Sequence, residues 1–143
     1  MPIALRPARS GDFEFCARLY FSGMEETIRR LKLDIVAQTR NLRERWNVDE
    51  VQIITSDDAD VGWMQSSIKE GAQYLEQIFI DTPFQGRGVG TGIINGLIGE
   101  AKLDQRPVTL GVVKTNPALR LYERLGFRIT HEDERKFYMR REP

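Results

Sequence analysis

The segment from Ile78 to Leu103 constrains the fold most strongly, because it joins a buried strand to a helix through a glycine-rich turn. Ile78-Phe79-Ile80 is a continuous apolar run, which is typical of a central strand. Five of the ten residues 83–92 are glycine or proline, a density that predicts a turn. Apolar residues on one face then predict a helix to about Leu103, and they are Val89, Ile93, Ile94, Leu97, Ile98 and Ala101.

The rest of the chain alternates between strand and helix patterns. Further strands are predicted at Ile3–Pro7, Val51–Thr55, Val61–Ile68, Gln73–Asp81, Val108–Val113, Phe127–Thr130 and Lys136–Met139. A helix is predicted over Phe13–Tyr20 after a cap at Ser10 or Asp12. A second helical stretch follows Ser22-Gly23, with an apolar stripe from Ile28 to Trp46. Another helix is predicted between Asn116-Pro117 at its start and Gly126 at its end. The order β-α-α-β-β-β-α-β-α-β-β predicts a mixed α/β fold with one sheet and helices on its faces.

Length, charge and cysteine content predict one intracellular domain covering residues 1–143. A chain of 143 residues is an ordinary size for one domain. Its 21 basic and 21 acidic side chains cancel, and neither half is strongly charged, which argues against a nucleic acid or membrane partner. Cys16 is the only cysteine, so no intrachain disulfide forms. With no signal-peptide pattern or apolar span, we expect a cytoplasmic protein.

The turn after the central strand has the composition of a phosphate cradle. The first backbone N–H groups of a helix lack partners, and the helix dipole adds positive charge there. Glycines Gly86, Gly88 and Gly90 let the backbone approach a ligand. The Walker motif requires a Gly-Lys pair that the sequence lacks, and no register of the glycines fits the dinucleotide motif G-x-G-x-x-G. The alternative is a tight turn whose glycines serve only close packing and bind no ligand.

The pattern present is Gln-x-x-Gly-x-Gly at Gln85, Gly88 and Gly90, and it resembles the pyrophosphate loop of the GCN5-related N-acetyltransferase (GNAT) family. The resemblance extends over residues 78–90, which are similar to that family's central strand and loop. Residues 116–127, with the sequence NPALRLYERLGF, are similar to its second hallmark segment. The resemblance implies a single mixed, mostly antiparallel twisted sheet with a splayed central strand and helices on both faces.

The resemblance also implies the cofactor, acetyl-coenzyme A, and the backbone groups that bind it. In the family, the pantetheine arm pairs with amides of the splayed strand, which here belong to Ile78, Phe79 and Ile80. Amides of the loop hold the pyrophosphate, and here these belong to Gln85, Gly86, Arg87, Gly88, Val89, Gly90 and Thr91. An unpaired strand edge has N–H and C=O groups that an amide-rich arm can satisfy.

Three side chains are candidates for roles at the reacting group. Tyr122 matches the family's general-acid tyrosine, and a phenol with a pKa near 10 can protonate a leaving thiolate; alternatively, its ring simply packs in the core. Glu76 shares a strand face with Ile78 and is either the general base or a surface carboxylate. Asn116 either contacts the cofactor arm or only caps its helix. The sequence predicts an N-acetyltransferase in which a primary amine attacks the thioester directly.

Other reactive or special residues are given structural interpretations. His131 lies in a polar run and is expected in a solvated loop, and Cys16 is expected to be buried and inert. Gly92, Gly96 and Gly99 are expected to let the helix after the loop pack closely on the sheet. No His, Cys and carboxylate cluster has metal-ligand spacing, so no metal is predicted.

The acceptor is the least determined part of the prediction. The resemblance places it between residues 21–46 and 131–138, where Glu25, Glu26, Trp46, Trp63 and the acidic run Glu132–Glu134 are candidates for attracting a cationic amine. A small molecule and a peptide amine both remain open, and a homodimer is possible. The main alternative to an enzyme is a non-catalytic acyl-coenzyme A-binding sensor or regulatory module, and a general nucleotide- or phosphate-binding domain is a weaker one.

Overall fold

The computed structural model describes residues 2–143, which form seven β-strands, four α-helices and two short 3-10 helices. The strands are β1 Ile3–Pro7, β2 Val51–Ser56, β3 Ala59–Lys69, β4 Ala72–Ile80, β5 Val108–Val113, β6 Arg128–Glu132 and β7 Lys136–Arg141. The helices are α1 Phe13–Arg30, α2 Ile35–Arg45, α3 Val89–Leu103 and α4 Ala118–Arg124. The 3-10 helices are Ser10–Asp12 and Thr82–Phe84. The predicted order of strands and helices is confirmed.

The strands form a seven-stranded mixed sheet with the order β1-β2-β3-β4-β5-β7-β6. The pairs β1–β2, β2–β3, β5–β7 and β6–β7 are antiparallel, whereas β4 and β5 are parallel. The parallel pairing runs from Gln73 with Val108 to Leu75 with Leu110. It ends there although both strands continue, β4 to Ile80 and β5 to Val113. The mixed sheet with a splayed central strand is therefore confirmed.

The chain forms two compact units, and strands β3 and β4 contribute to each. The first unit comprises residues 2–65 and 77–87 of the described chain, and the second comprises Ser66–Glu76 and Gly88–Pro143. Each unit has its own buried apolar side chains. That residues 1–143 act as one domain stays a prediction.

Aromatic side chains fill the core of the first unit. Its buried cluster consists of Phe13, Cys16, Leu19, Tyr20, Leu42, Val51, Ile53 and Trp63. The half-buried ring of Phe79, on β4, packs edge-on to Tyr20 and stacks on Trp63, with centroid distances of 5.5 and 5.7 Å. Two glycines leave room for Phe79: a Cβ on Gly23 would lie 2.7 Å from its ring, and one on Gly62 would lie 2.6 Å from its carbonyl oxygen. The end of β4 is thus held firmly in this unit.

The second unit packs the apolar face of α3 against β5. The buried positions of α3 are those that the apolar pattern predicts: Val89, Ile93, Ile94, Leu97, Ile98 and Ala101. Alternate residues of β5, namely Val108, Leu110 and Val112, are buried as well. Thr109, Gly111 and Val113 are only half-buried, so β5 presents a less covered second face.

The predicted helix boundary at Ser22-Gly23 is wrong. Helix α1 continues through Gly23 to Arg30. The glycine is explained by the close approach of the Phe79 ring, which leaves no room for a Cβ at this position. The chain turns between α1 and α2, where Lys32 has a φ of 52°, and the Asp34 carboxylate caps α2 by accepting from the Val36 N–H at 3.2 Å. The stripe from Ile28 to Trp46 therefore belongs to two helices.

Three smaller expectations also need correction. Gly92, Gly96 and Gly99 are exposed, and a Cβ on any of them would meet no atom of residues 2–143 within 4 Å, so they are not packing glycines. They fall opposite the buried face of α3. His131 lies in strand β6 rather than in a loop, although it is exposed as expected. Asp12 precedes α1 without a side-chain cap bond; its carboxylate instead accepts from the Arg9 N–H at 2.7 Å.

Candidate active site

The first part of the glycine loop belongs to the first unit and is anchored to the end of β4. The side-chain amide of Gln85 donates to the Ile80 carbonyl at 2.8 Å, and Asp81 caps the short 3-10 helix by accepting from the Thr82 N–H at 2.9 Å. Gly86 follows with a φ of 74° and is exposed. Within residues 2–143, the backbone N–H groups of Gly86 and Arg87 donate to no other atom. The side chain of Gln85 thus has a physical role, which is to fix where the loop begins.

The second part of the loop is the start of α3 in the second unit. Gly88 is the N-cap residue, in the left-handed region at a φ of 78°, and supplies no side-chain cap. The first hydrogen bond into the helix runs from the Gly92 N–H to the Gly88 carbonyl at 3.0 Å. Among the described residues, the N–H groups from Gly88 to Thr91 have no acceptor. Unpaired amides at the positive end of a fifteen-residue helix form a suitable anion site.

The space around the loop glycines fits a bound phosphate. An ideal Cβ on Gly86 or on Gly88 would meet no atom of residues 2–143 within 4 Å, so the backbone there is open to a ligand. Both residues have positive φ, a conformation that is costly for any residue with a Cβ. Arg87 is exposed, with its guanidinium 5.9 Å from the centre of the Phe84 ring. The residues present therefore fit the pyrophosphate group that the sequence predicts.

The strand residues predicted to pair with the cofactor are half-buried. Ile78, Phe79 and Ile80 end β4, and the ring of Phe79 is occupied by packing in its own unit. Just beyond, the Asp81 N–H donates to the Val61 carbonyl at 2.8 Å. Side-chain packing and the bond at Asp81 fix the backbone of this segment. Its predicted contribution to cofactor binding is through backbone groups.

Tyr122 lies on α4 and is 7% exposed, with its ring edge-on to Phe127 at 5.8 Å. Within residues 2–143, the Tyr122 hydroxyl has no hydrogen-bond partner. It is not one of the fully buried polar atoms that lack a partner, so its oxygen is not completely enclosed. Burial raises the pKa of the phenol above its usual value of 10. Tyr122 can therefore pack in the core and act as a general acid, because its ring can be fixed by packing while its hydroxyl keeps a proton to donate.

Asn116 and Glu76 are both placed in the second unit. The Asn116 side-chain oxygen accepts from the Ala118 N–H at 2.9 Å, so this side chain caps α4. Pro117 is itself the N-cap position, one residue later than expected. Glu76 is half-buried on β4 and shares a strand face with Tyr74. The proposed cofactor and catalytic roles of these two residues stay predictions.

Two of the other candidate residues have settled structural environments. Cys16 is fully buried, and burial raises the pKa of its thiol to about 12, which fits the expectation of an inert cysteine. Trp63 is also fully buried, which removes it from the candidates for attracting a cationic amine. Its indole ring is instead stacked on Phe79.

The acidic run near the last hairpin is largely engaged by its neighbours. Glu132 pairs with Lys114 at 3.1 Å. The Asp133 carboxylate accepts from the N–H groups of Arg135 and Lys136 and from the Tyr138 hydroxyl, at 2.9, 2.7 and 2.7 Å. Those bonds, the tyrosine hydroxyl foremost, lower the pKa of Asp133 to about 2. These carboxylates shape the hairpin rather than standing open to a cationic amine.

Sequence reasoning did not single out the less covered face of the second unit's strands. Tyr74, Thr109 and Tyr138 lie on this face, and the period-two alternation of β5 was the available signal. Within residues 2–143, no cluster of three His, Cys, Asp or Glu side chains is placed to hold a metal ion. None of the helices in that range combines the length and the apolar composition needed to cross a bilayer.

Comparisons with known proteins agree with this geometry. The sequence profile of the acetyltransferase (GNAT) domain matches residues 23–139. An uncharacterized N-acetyltransferase of Methanocaldococcus jannaschii is 40% identical over 70 residues, a match that spans 48% of this chain but only 31% of that protein. A Pyrococcus horikoshii structure has a TM-score of 0.79 at 17% identity, covering 99% of each chain. The PaiA N-acetyltransferase of Thermoplasma acidophilum, solved in complex with coenzyme A, has a TM-score of 0.78 at 14% identity, covering 100% of each chain.

The profile match covers most of the chain and includes both hallmark segments, and the structural neighbours share the fold from end to end. The predicted family, fold and cofactor are confirmed, since acetyl-coenzyme A is the donor that this family uses. The chain belongs to the GCN5-related N-acetyltransferase (GNAT) family of acetyltransferases.

Proposed function

We propose that this chain transfers the acetyl group of acetyl-coenzyme A to a primary amine by direct attack within a ternary complex. The observation that carries the proposal is the run of backbone N–H groups from Gly86 to Thr91 that donate to no atom of residues 2–143. A run of exposed amides at a helix start can exchange water for an anionic partner, and a pyrophosphate has several acceptor oxygens to match them.

The proposed cofactor site consists mainly of backbone groups. Amides from Gly86 to Thr91 bind the pyrophosphate, and backbone groups of Ile78, Phe79 and Ile80 bind the pantetheine arm. The Gln85 N–H already donates to the Thr82 carbonyl at 3.2 Å, so Gln85 serves the site through its side chain, which fixes the start of the loop. Asn116 contributes through its side chain, in addition to capping α4. When bound, acetyl-coenzyme A supplies a thioester carbonyl that an amine can attack. An amide of the strand segment polarises that carbonyl as its oxygen gains negative charge.

Two side chains carry out the proton transfers of the reaction, Glu76 as the general base and Tyr122 as the general acid. The Glu76 carboxylate takes a proton from the attacking amine, directly or through water. The Tyr122 hydroxyl gives a proton to the departing thiolate sulfur as the C–S bond breaks, and it regains one from solvent after each turnover. The raised pKa of Tyr122 keeps its hydroxyl protonated at neutral pH, although it also makes the group a weaker acid. Acid-dependent activity is therefore retained at neutral pH and lost as the pH rises through that raised pKa, above 10.

The first test is cofactor selectivity. Thermal unfolding is measured with coenzyme A, acetyl-coenzyme A and ATP, each at the same concentration. We expect the first two to raise the unfolding temperature and ATP to have little effect, because only the former carry the pantetheine arm. Equal stabilisation by all three compounds would contradict the proposed site and indicate a general phosphate-binding loop.

The second test is thiol release on a panel of primary amines, comparing the wild type with Tyr122→Phe. Loss of a general acid typically costs about 10²-fold or more in turnover. The matched control is Tyr20→Phe, which removes the hydroxyl of another buried tyrosine, one that donates to the Gln38 side chain at 3.2 Å in the first unit. We expect the control to keep its turnover. Equal turnover of Tyr122→Phe and the wild type would remove Tyr122 from the mechanism, and cofactor binding without any turnover would favour a non-catalytic module.

A further inference from the structure

A cavity of about 430 Å³ lies on the less covered face of the strands in the second unit. The rings of Tyr74, His131 and Tyr138 line it, together with the Thr109 hydroxyl. Lys69 and Arg140 are the cationic side chains of its wall, and Glu70 is anionic. A volume of this size suits a small organic ligand.

The aromatic wall is held rigid by contacts within the unit. The His131 and Tyr138 rings stack at a centroid distance of 4.6 Å and an angle of 11°. The Tyr138 hydroxyl donates to the Asp133 carboxylate at 2.7 Å, and the Thr130 hydroxyl forms a hydrogen bond with Nδ1 of the His131 ring at 2.9 Å. The rings cannot rotate without breaking these contacts, so the wall is prepared to stack on a flat ligand.

Lys69 is the wall residue that can pair with an anionic group on that ligand, and the Glu70 carboxylate beside it in the sequence also lines the cavity. The Lys69 ammonium lies 4.9 Å from the centre of the Tyr74 ring and forms no ion pair within residues 2–143. Arg140 pairs with Glu142, which leaves Lys69 as the cation available to a ligand. The nearby carboxylate of Asp133 is already occupied by three donors.

Strand β4 connects the cavity to Glu76, the residue proposed above as the general base. Glu76 does not line the cavity, but it lies on the same strand face as Tyr74, about 6.6 Å farther along the strand. Lys69 lies beyond Tyr74, across the turn that begins the strand. From Glu76 to Lys69, this strand face thus has a carboxylate just outside the cavity, followed by the ring wall and the cation within it. A complementary acceptor has an amine, a flat body and an anionic group in that order.

We infer that this cavity binds the acceptor, and that the acceptor is a small aromatic compound with a primary amine at one end and a carboxylate or similar anion at the other. The inference rests on the proposed function for the role of Glu76. The aromatic ring and the anion of the ligand rest on the cavity alone, and they therefore have a separate test.

The test measures dissociation constants by protein NMR titration with four probes. 4-(Aminomethyl)benzoate has all three features, benzylamine lacks the anion, and 4-methylbenzoate lacks the amine. trans-4-(Aminomethyl)cyclohexanecarboxylate keeps both charged groups but replaces the flat ring. We expect 4-(aminomethyl)benzoate to bind most tightly, with chemical-shift changes at residues that line the cavity. Equal affinity for the aromatic and cyclohexane probes, or shift changes elsewhere only, would overturn the inference.

Matched variants assign the effect to the wall. Lys69→Met is expected to weaken 4-(aminomethyl)benzoate about fivefold, the upper range for an exposed ion pair, and to leave benzylamine unchanged. The control is Lys102→Met, on exposed α3 and outside the cavity lining. Tyr138→Leu is expected to weaken every aromatic probe about fivefold, whereas Tyr138→Phe keeps the stacking ring. Unchanged affinities in both Lys69→Met and Tyr138→Leu would overturn the inference.

The failure of this inference and that of the proposed function give different results. 4-Methylbenzoate has no amine, so its binding to the cavity is independent of any acetyl transfer. Binding of 4-methylbenzoate without acetylation of any amine would contradict the proposed function and support the ligand class. Acetylation of unrelated amines, with no probe bound in the cavity, would support the proposed function and overturn the inference.

Discussion

Helices α1 and α3 both contain interior glycines, but the two helices use them in opposite ways. In α1, Gly23 faces the ring of Phe79 so closely that a Cβ would lie 2.7 Å from it. In α3, a Cβ on Gly96 or Gly99 would meet no atom of residues 2–143 within 4 Å. Glycine in a helix costs about 1 kcal/mol relative to alanine. In α1 that cost is offset by close packing, whereas in α3 no packing within the described chain offsets it.

The contrast extends to glycines outside the helices. Gly62, in β3, faces the backbone oxygen of Phe79 at 2.6 Å from an ideal Cβ, so its neighbour cannot move aside by changing a rotamer. Gly88 has open space but a φ of 78°. The same substitution, glycine to alanine, can therefore be compared at four kinds of position in this protein. The added Cβ meets backbone at one, requires a strained φ at another, meets an aromatic ring at a third and enters open space at the last. The predictions below take these in order of decreasing effect.

Gly62→Ala is expected to be the most destabilising of the four. Overpacking a well-filled site typically costs about 1–3 kcal/mol, and we expect the upper end here because the blocking atom is backbone. The Ile80 and Ile54 side chains, at 3.1 and 3.2 Å from the same Cβ, leave no escape route. Urea unfolding followed by circular dichroism measures the change. A loss of stability no larger than that of Gly23→Ala would show that β3 and β4 shift apart easily.

Gly88→Ala is expected to cost about 1–2 kcal/mol of unfolding free energy, because the left-handed conformation places a Cβ against the backbone. It should also weaken coenzyme A binding measured by isothermal titration calorimetry, since the strained loop would turn its amides away from the ligand. Gly71→Ala is the matched control: Gly71 has a φ of 79° and equally open space, but lies in the turn between β3 and β4.

The two variants separate stability from binding. Both should lose similar stability, but only Gly88→Ala should lose affinity for coenzyme A. If Gly71→Ala weakened binding as much, the effect would come from general destabilisation and the loop would lose its assigned role.

Much of the fold could be predicted because its signals are local. Asn116-Pro117 and Gly126 bracket α4 through capping, and the buried stripe of α3 follows helical periodicity within one segment. The family resemblance rests on two contiguous segments as well. Local signals of this kind survive in the sequence because each depends on residues within a few positions of one another.

The parts that sequence reasoning missed depend on residues far apart in the chain. The sequence predicts a helix break at Gly23, because the ring of Phe79 that accounts for this glycine comes from a distant strand. The sequence predicts close packing at the glycines of α3, whereas in the structure Gly23 and Gly62 are the closely packed glycines. The aromatic cavity brings together Tyr74, Thr109 and Tyr138, whose adjacency depends on the parallel pairing of β4 with β5 and on the insertion of β7 beside β5. No local sequence pattern predicts which strands lie next to one another in this way.

Gly23→Ala is expected to have a smaller effect than Gly62→Ala, because two contributions oppose each other. Overpacking against Phe79 costs about 1–3 kcal/mol, and alanine returns about 1 kcal/mol of helix propensity. The ring is held by Tyr20 and Trp63, so it cannot swing away, and a net loss should remain. In a double-mutant cycle with Phe79→Leu, the second substitution should relieve the contact and make Gly23→Ala neutral or stabilising. Additive effects in that cycle would show that the ring is not what excludes a Cβ at Gly23.

Gly96→Ala is expected to have the smallest effect and the opposite sign. Gly96 is exposed in the middle of α3, and a Cβ there meets nothing in residues 2–143, so the substitution should raise the unfolding free energy by about 0.5–1 kcal/mol through helix propensity and reduced freedom of the unfolded chain. Gly99→Ala shares this environment and should give the same gain, which serves as an internal replicate. Urea midpoints measured at several protein concentrations provide the readout. A loss of stability in both variants would contradict the contrast between α1 and α3, because it would mean that a close neighbour, such as a second copy of the chain, covers this face in solution.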